Sequence, residues 1–174
     1  MTRSCSVRQA PASPAGQARA TEPPHAHTRA VDRMVKDERR DAVAYANTIS
    51  LEVPYEKAVD LVKEALAAQG FGILTEIDLR ATLKEKLDQD IESYVVLGAC
   101  NPPLAHRALQ ADREIGLLLP CNVVVREHEG RTLVQALDPQ VLVTLSEEED
   151  LQPIADEAAR RLQGALSALS SASP

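Results

Sequence analysis

The chain has 174 residues, 44% of them apolar and 26% charged, with a formal net charge of −7. That length suits one domain plus a tail, and one Phe, three Tyr and no Trp leave the core to aliphatic side chains and Ala. There is no run of about 18 apolar residues, which excludes a membrane-spanning helix.

Charge separates once the chain is divided. Residues 1–33 carry Arg3, Arg8, Arg19, Arg29 and Arg33 against Glu22 and Asp32, a net +3, whereas residues 34–174 carry 14 basic and 24 acidic side chains, a net −10. The acidic part repels a phosphate backbone and has few rings on which bases could stack, which argues against a nucleic-acid partner. Three cysteines, Cys5, Cys100 and Cys121, are an odd number in a chain too long for a small secreted scaffold. They predict free thiols in a reducing, cytoplasmic compartment.

Residues 1–45 predict a disordered tail rich in Pro, Ala and Arg, interrupted by Pro11, Pro14, Pro23 and Pro24, with too little apolar content to repay ordering. The segment has no secretory apolar stretch, its prolines oppose a transit-peptide helix, and a start of translation at Met34 would leave 141 residues. His25 and His27 are expected to be solvated there.

A single domain is expected over residues 46–170. Asn47 to Val53 alternates with the period of a half-buried strand. Pro54 opens a helix in which Tyr55, Val59, Val62 and Leu66 share a stripe, and Gly70 is placed to end it. Phe71 to Thr75 is a second strand. Asp78 caps a short helix with Leu79, Leu83 and Leu87 on one face. Tyr94 to Gly98 is a third, more buried strand, and Asn101 followed by Pro102 starts the next helix.

Ile115 to Val125 predicts a central strand with an irregularity at Pro120, and Glu129-Gly130 a hairpin leading into Thr132 to Leu137. Val141 to Val143 reads as a short extended piece. The last helix is expected from Asp150, with Leu151, Ile154, Ala158, Leu162, Ala165, Leu166 and Leu169 along one side. The order β-α-β-α-β-α-β-β-α predicts a two-layer α+β fold, a mixed β-sheet of about five strands packed by helices.

Familiar catalytic signatures are missing: no G-x-S-x-G, phosphate loop, H-E-x-x-H or C-x-x-C occurs. Two Cys-Asn dipeptides remain. Cys100-Asn101 lies just before a helix N-terminus, where free amides and the helix dipole favour a thiolate. Cys121-Asn122 follows Pro120 in an apolar strand, and pairing of the third and fourth strands would bring the thiols together. Three readings fit. The thiols are small core hydrophobes, or Cys100 is a redox or nucleophilic group with Cys121 as its resolving partner. In the third reading Cys100, Asn101, Cys121 and Asn122 bind a small ligand, or Cys100, Cys121 and His106 share a metal ion. Two thiols and one His are too few for a closed zinc site, and no motif names a cofactor.

Gly70-Phe71-Gly72-Ile73-Leu74-Thr75-Glu76-Ile77-Asp78, Ala81 to Leu87, Leu97 to Pro102, Leu118 to Val123 and Ala136 to Pro139 together resemble the bacterial and archaeal family called domain of unknown function 302. The resemblance covers about residues 47–169. It implies a compact cytoplasmic α+β domain that forms a homodimer, and it carries no catalytic residue across. Three expectations follow: a binding module for a metal ion or small ligand at the Cys-Asn segments, a thiol-dependent enzyme, or an interaction homodimer joined through the final helix.

Overall fold

The computed structural model describes residues 45–172. The tail expected over residues 1–45 therefore lies, except for Tyr45, outside the described residues, as do Cys5, His25 and His27. The described residues form five strands and five helices, in the order β1 (Ala46–Leu51), α1 (Tyr55–Ala68), β2 (Gly72–Asp78), α2 (Leu79–Leu87), β3 (Tyr94–Cys100), α3 (Pro102–Ala111), β4 (Cys121–His128), β5 (Arg131–Leu137), α4 (Gln140–Ser146) and α5 (Gln152–Ala172). Short 3-10 turns span Glu114–Leu118 and Glu149–Leu151. Among the described residues no helix is long and apolar enough to cross a membrane.

The strands form one sheet in the order β1-β5-β4-β3-β2. The α+β architecture and strand number are those expected, but the sheet is not mixed: all four pairings are antiparallel. Helices α2 and α3 join neighbouring antiparallel strands, whereas α1 carries the chain from β1 at one edge to β2 at the other, and β1 pairs with β5. Glu129 and Gly130 turn β4 into β5 with positive φ at both (51° and 77°), the conformation a two-residue hairpin favours.

Alternation sorts the side chains. Val95, Leu97 and Ala99 of β3, Cys121, Val123 and Val125 of β4, and Val134 and Ala136 of β5 join Val62 and Leu66 of α1 and Leu162 and Leu166 of α5 in the main core. A second apolar cluster holds Leu104 and Ala108 of α3, Ile115, Leu142 of α4, and Leu151, Ile154 and Ala158. The whole apolar side of α5 is buried inside its own chain, so this helix is not the face through which two copies would join.

Local signals set the helix ends. Gly70 takes φ +80°, and the Phe71 amide donates to the Leu66 carbonyl (3.0 Å), closing α1. The Asp78 carboxylate accepts from the Ala81 amide (2.8 Å) at the start of α2. Helix α2 nevertheless buries none of its residues, and Leu87 at the end of its expected stripe is 63% exposed.

Two segments differ from expectation. Ile115–Leu118 is a 3-10 turn rather than strand, and β4 begins only after Pro120, which has no N–H to give to a ladder. Val141–Val143 is helical: Asp138 Oδ1 accepts from the Gln140 amide (3.0 Å), and Pro139 suits the start of α4.

Candidate functional site

The two Cys-Asn segments meet where β3 ends and β4 begins. In the ladder Ala99 faces Cys121, and the next residue, Cys100, faces Gly72 of β2. Gly98 makes this junction tight. A Cβ there would collide with Thr75 Oγ1 and lie 2.9 Å from Pro120 Cγ, so only glycine lets the segment before Cys121 lie against β3.

Asn101 is buried and fully used. Its Oδ1 accepts from the Leu104 amide (3.3 Å) and caps α3, while its Nδ2 donates to the Gly70 carbonyl (3.0 Å) at the end of α1. One amide thus ties three elements together at the rim of a pocket. That pocket is a cavity of about 30 Å3, with Cys100, Asn101 and Cys121 on the sheet side and Leu104, Leu142 and Ile154 among the apolar residues from the helices. Both cysteines are free thiols, Cys121 buried and Cys100 half-buried.

Burial pushes the Cys121 thiol up to about 11, helped by the proximity of Cys100, and burial also raises Cys100 above its ordinary value. The thiolate expected at Cys100 from the adjacent helix start is therefore not favoured. Pro102 and Pro103 fill the first two positions of α3 without an N–H, and the Asn101 side chain takes the Leu104 amide. No free amide is left to stabilise charge on sulfur.

Of the residues expected at the site, Cys100, Asn101 and Cys121 come together and two do not. Asn122 is exposed, faces Gly98 and is absent from the pocket wall, whereas Cys100, which by alternation shares the Gly98 face, borders the pocket from the last position of β3. His106 is exposed on α3, outside the pocket wall. The expected metal trio of Cys100, Cys121 and His106 is not assembled: among the described residues no three His, Cys, Asp or Glu side chains gather as metal ligands.

The helical wall was missing from the sequence reading at this site. Leu142 and Ile154 reach the pocket from segments more than 20 residues beyond Cys121, and only their apolar character hinted at it. A wider recess of about 430 Å3, also unanticipated, opens at the other end of β5, lined by Glu52, Tyr55, Glu127 and Arg131 among others. Tyr55 there is pushed up to about 12 by burial and then by Asp78, Glu76, Glu56 and Glu127. Its polar groups are engaged locally: Arg131 pairs with Glu52 (2.6 Å), and Thr132 Oγ1 donates to the Val53 carbonyl (2.9 Å).

Comparison with known proteins adds the following. The family described as Domain of unknown function DUF302 matches residues 47–169. A crystal structure of an uncharacterized conserved DUF302 protein from Bacillus stearothermophilus superposes with a TM-score of 0.69 at 28% identity, covering 73% of this chain and 99% of that one. No curated protein matches the chain.

Proposed function

Because the chain belongs to the DUF302 family, whose description assigns no activity, we propose a function from the pocket itself: a non-enzymatic binding module that holds one soft, thiol-seeking metal ion of low coordination number at Cys100 and Cys121. The observation that carries this reading is that two cysteines 21 positions apart in the chain both line one narrow pocket. Its volume, about 30 Å3, is close to the room one small sphere needs. Pockets for larger organic ligands run to roughly 300 Å3 and above.

Donor chemistry narrows the choice. Sulfur is the only donor that the pocket leaves uncommitted, since both polar groups of the Asn101 side chain are already bonded. Hard cations want oxygen, and zinc wants about four ligands, whereas a monovalent ion such as Cu(I) is satisfied by two thiolates. With both thiols raised, the empty site is neutral near pH 7 and compatible with its apolar wall. Metal then enters by displacing two protons, so affinity rises with pH, by about 100-fold per unit below the thiol range.

Anaerobic titration of the full chain with Cu(I) against a chromophoric bicinchoninate competitor tests this. One equivalent is expected per chain, lost in Cys100→Ser and in Cys121→Ser and kept in His106→Ala. Wild-type protein that fails to draw Cu(I) from the competitor, or serine variants that bind like wild type, would overturn it. A thiol-dependent enzyme has less support on the same geometry, because a nucleophile needs thiolate near neutrality and both thiols are shifted away from it.

A further inference from the structure

We infer that the face of the sheet that the described residues leave uncovered docks on the same face of a second copy of this chain, sheet against sheet across a two-fold axis. The residues it is argued from include neither Cys100 nor Cys121, so this reading and the metal site can fail independently.

The strand residues that alternate with the core define this face. Across its middle run Thr48, Gln135, Val124, Val96 and Ile77, from β1 to β2 in register, and beside them Ser50, Leu133, Arg126 and Tyr94. A sheet face meant for water alternates polar residues against the core. This one instead presents Tyr94, Val96, Val124 and Leu133, all half-buried, and Ile77, which is 47% exposed. None of them belongs to either core cluster.

Charge selects the occupant. Residues 45–172 carry 11 basic and 21 acidic side chains, a net −10, so two copies repel each other over most of their surfaces. The charged side chains of this face are Arg126 in its middle and Arg131 at one end, and both are compensated: Arg126 Nη1 lies 3.6 Å from Glu92 and its Nε donates to Gln135 Oε1 (3.1 Å), while Arg131 pairs with Glu52 (2.6 Å). Gln135 in turn donates to Thr48 Oγ1 (3.3 Å). The face is thus neutral and internally bonded. A basic partner would be drawn to the acidic surface elsewhere, whereas a like-charged copy meets least repulsion here.

Size agrees. Five strands about 4.8 Å apart and six or so residues long span roughly 24 by 20 Å, or about 480 Å2. Counted on both partners, that reaches about 1,000 Å2, the lower bound for a specific interface. An isologous contact also needs no second surface, since the patch is its own complement.

Sedimentation equilibrium of the full chain tests the inference. Wild type at about 100 μM is expected at twice the chain mass. Val124→Lys places two charges in the interface, one from each copy, and is expected to weaken association at least about 100-fold with an unchanged far-ultraviolet dichroism spectrum. Thr48→Lys repeats the test at an exposed position of the same face, where nothing half-buried is altered, and Gln163→Lys on the exposed side of α5 should leave the dimer intact. A monomeric wild type would overturn the inference, including one whose face is covered by its own residues 1–44. So would a folded Val124→Lys or Thr48→Lys protein that dimerises like wild type.

Discussion

The two faces of the sheet come from the same five strands, yet they are built differently. On the covered face Leu97, Val123, Val125 and Val134 are at most 1% exposed and lock against α1 and α5. On the other, Val96, Val124 and Leu133 stand one residue away at half-burial beside an Arg126–Gln135–Thr48 chain of hydrogen bonds. Runs such as Val95-Val96-Leu97 and Val123-Val124-Val125 therefore carry apolar side chains to both sides, the pattern of strands with two covers. Among the described residues only one cover is supplied, and the second is the one the inferred partner copy would provide.

The sharpest way to break this comparison is to truncate neighbours on opposite faces. Leu97→Ala removes a fully buried side chain and should cost about 2–5 kcal/mol in urea unfolding. Val96→Ala, next in the chain, should cost about 1 kcal/mol or less in dilute monomeric protein. Equal losses would mean that the uncovered face is packed after all. Gly98 comes next in size. Although it belongs to the uncovered side by alternation, Thr75 and Pro120 close over it. Gly98→Ala should cost about 1–3 kcal/mol by overpacking, and removing the hydroxyl with Thr75→Ala should recover part of that loss in a double-mutant cycle.

These effects also show what was legible in the amino-acid order. Asn101-Pro102, Gly70 and Asp78 predicted their helix ends because a cap is satisfied within a few residues. The start of β4 was not legible, since an unbroken apolar run from Ile115 has no period to separate a 3-10 turn from a strand. Val141-Leu142-Val143 has the composition of a strand, and the hydrogen bond from Gln140 to Asp138 that turns it into helix depends on geometry beyond composition. At the site, pairing of β3 with β4 was enough to predict that the two Cys-Asn segments meet. Alternation alone would have removed Asn122 and Cys100 together from the face of Cys121, so it did not show that Cys100 borders the pocket from the end of β3. By contrast, the two prolines after Asn101 already contained the reason why Cys100 gains no help from the helix start.

The smallest effect separates the two thiols by pH. Cys121 sits on the covered face with its thiol raised to about 11, above the ordinary value of 9.0, mainly by burial. Between those values the unfolded chain has released this proton and the native chain has kept it, so native stability falls as pH rises through the window. By pH 10 the loss reaches about 1 kcal/mol, and below pH 8 it is negligible. Unfolding of wild type and Cys121→Ser at pH 8 and pH 10 isolates the contribution, because the other groups titrating in that window, Tyr55 among them, are common to both proteins. The stability difference between the two proteins should shift by about 1 kcal/mol against wild type over those two pH units. A constant difference would mean that Cys121 is as well solvated as a thiol in the unfolded chain, which would remove the buried character on which both the covered face and the proposed metal site depend.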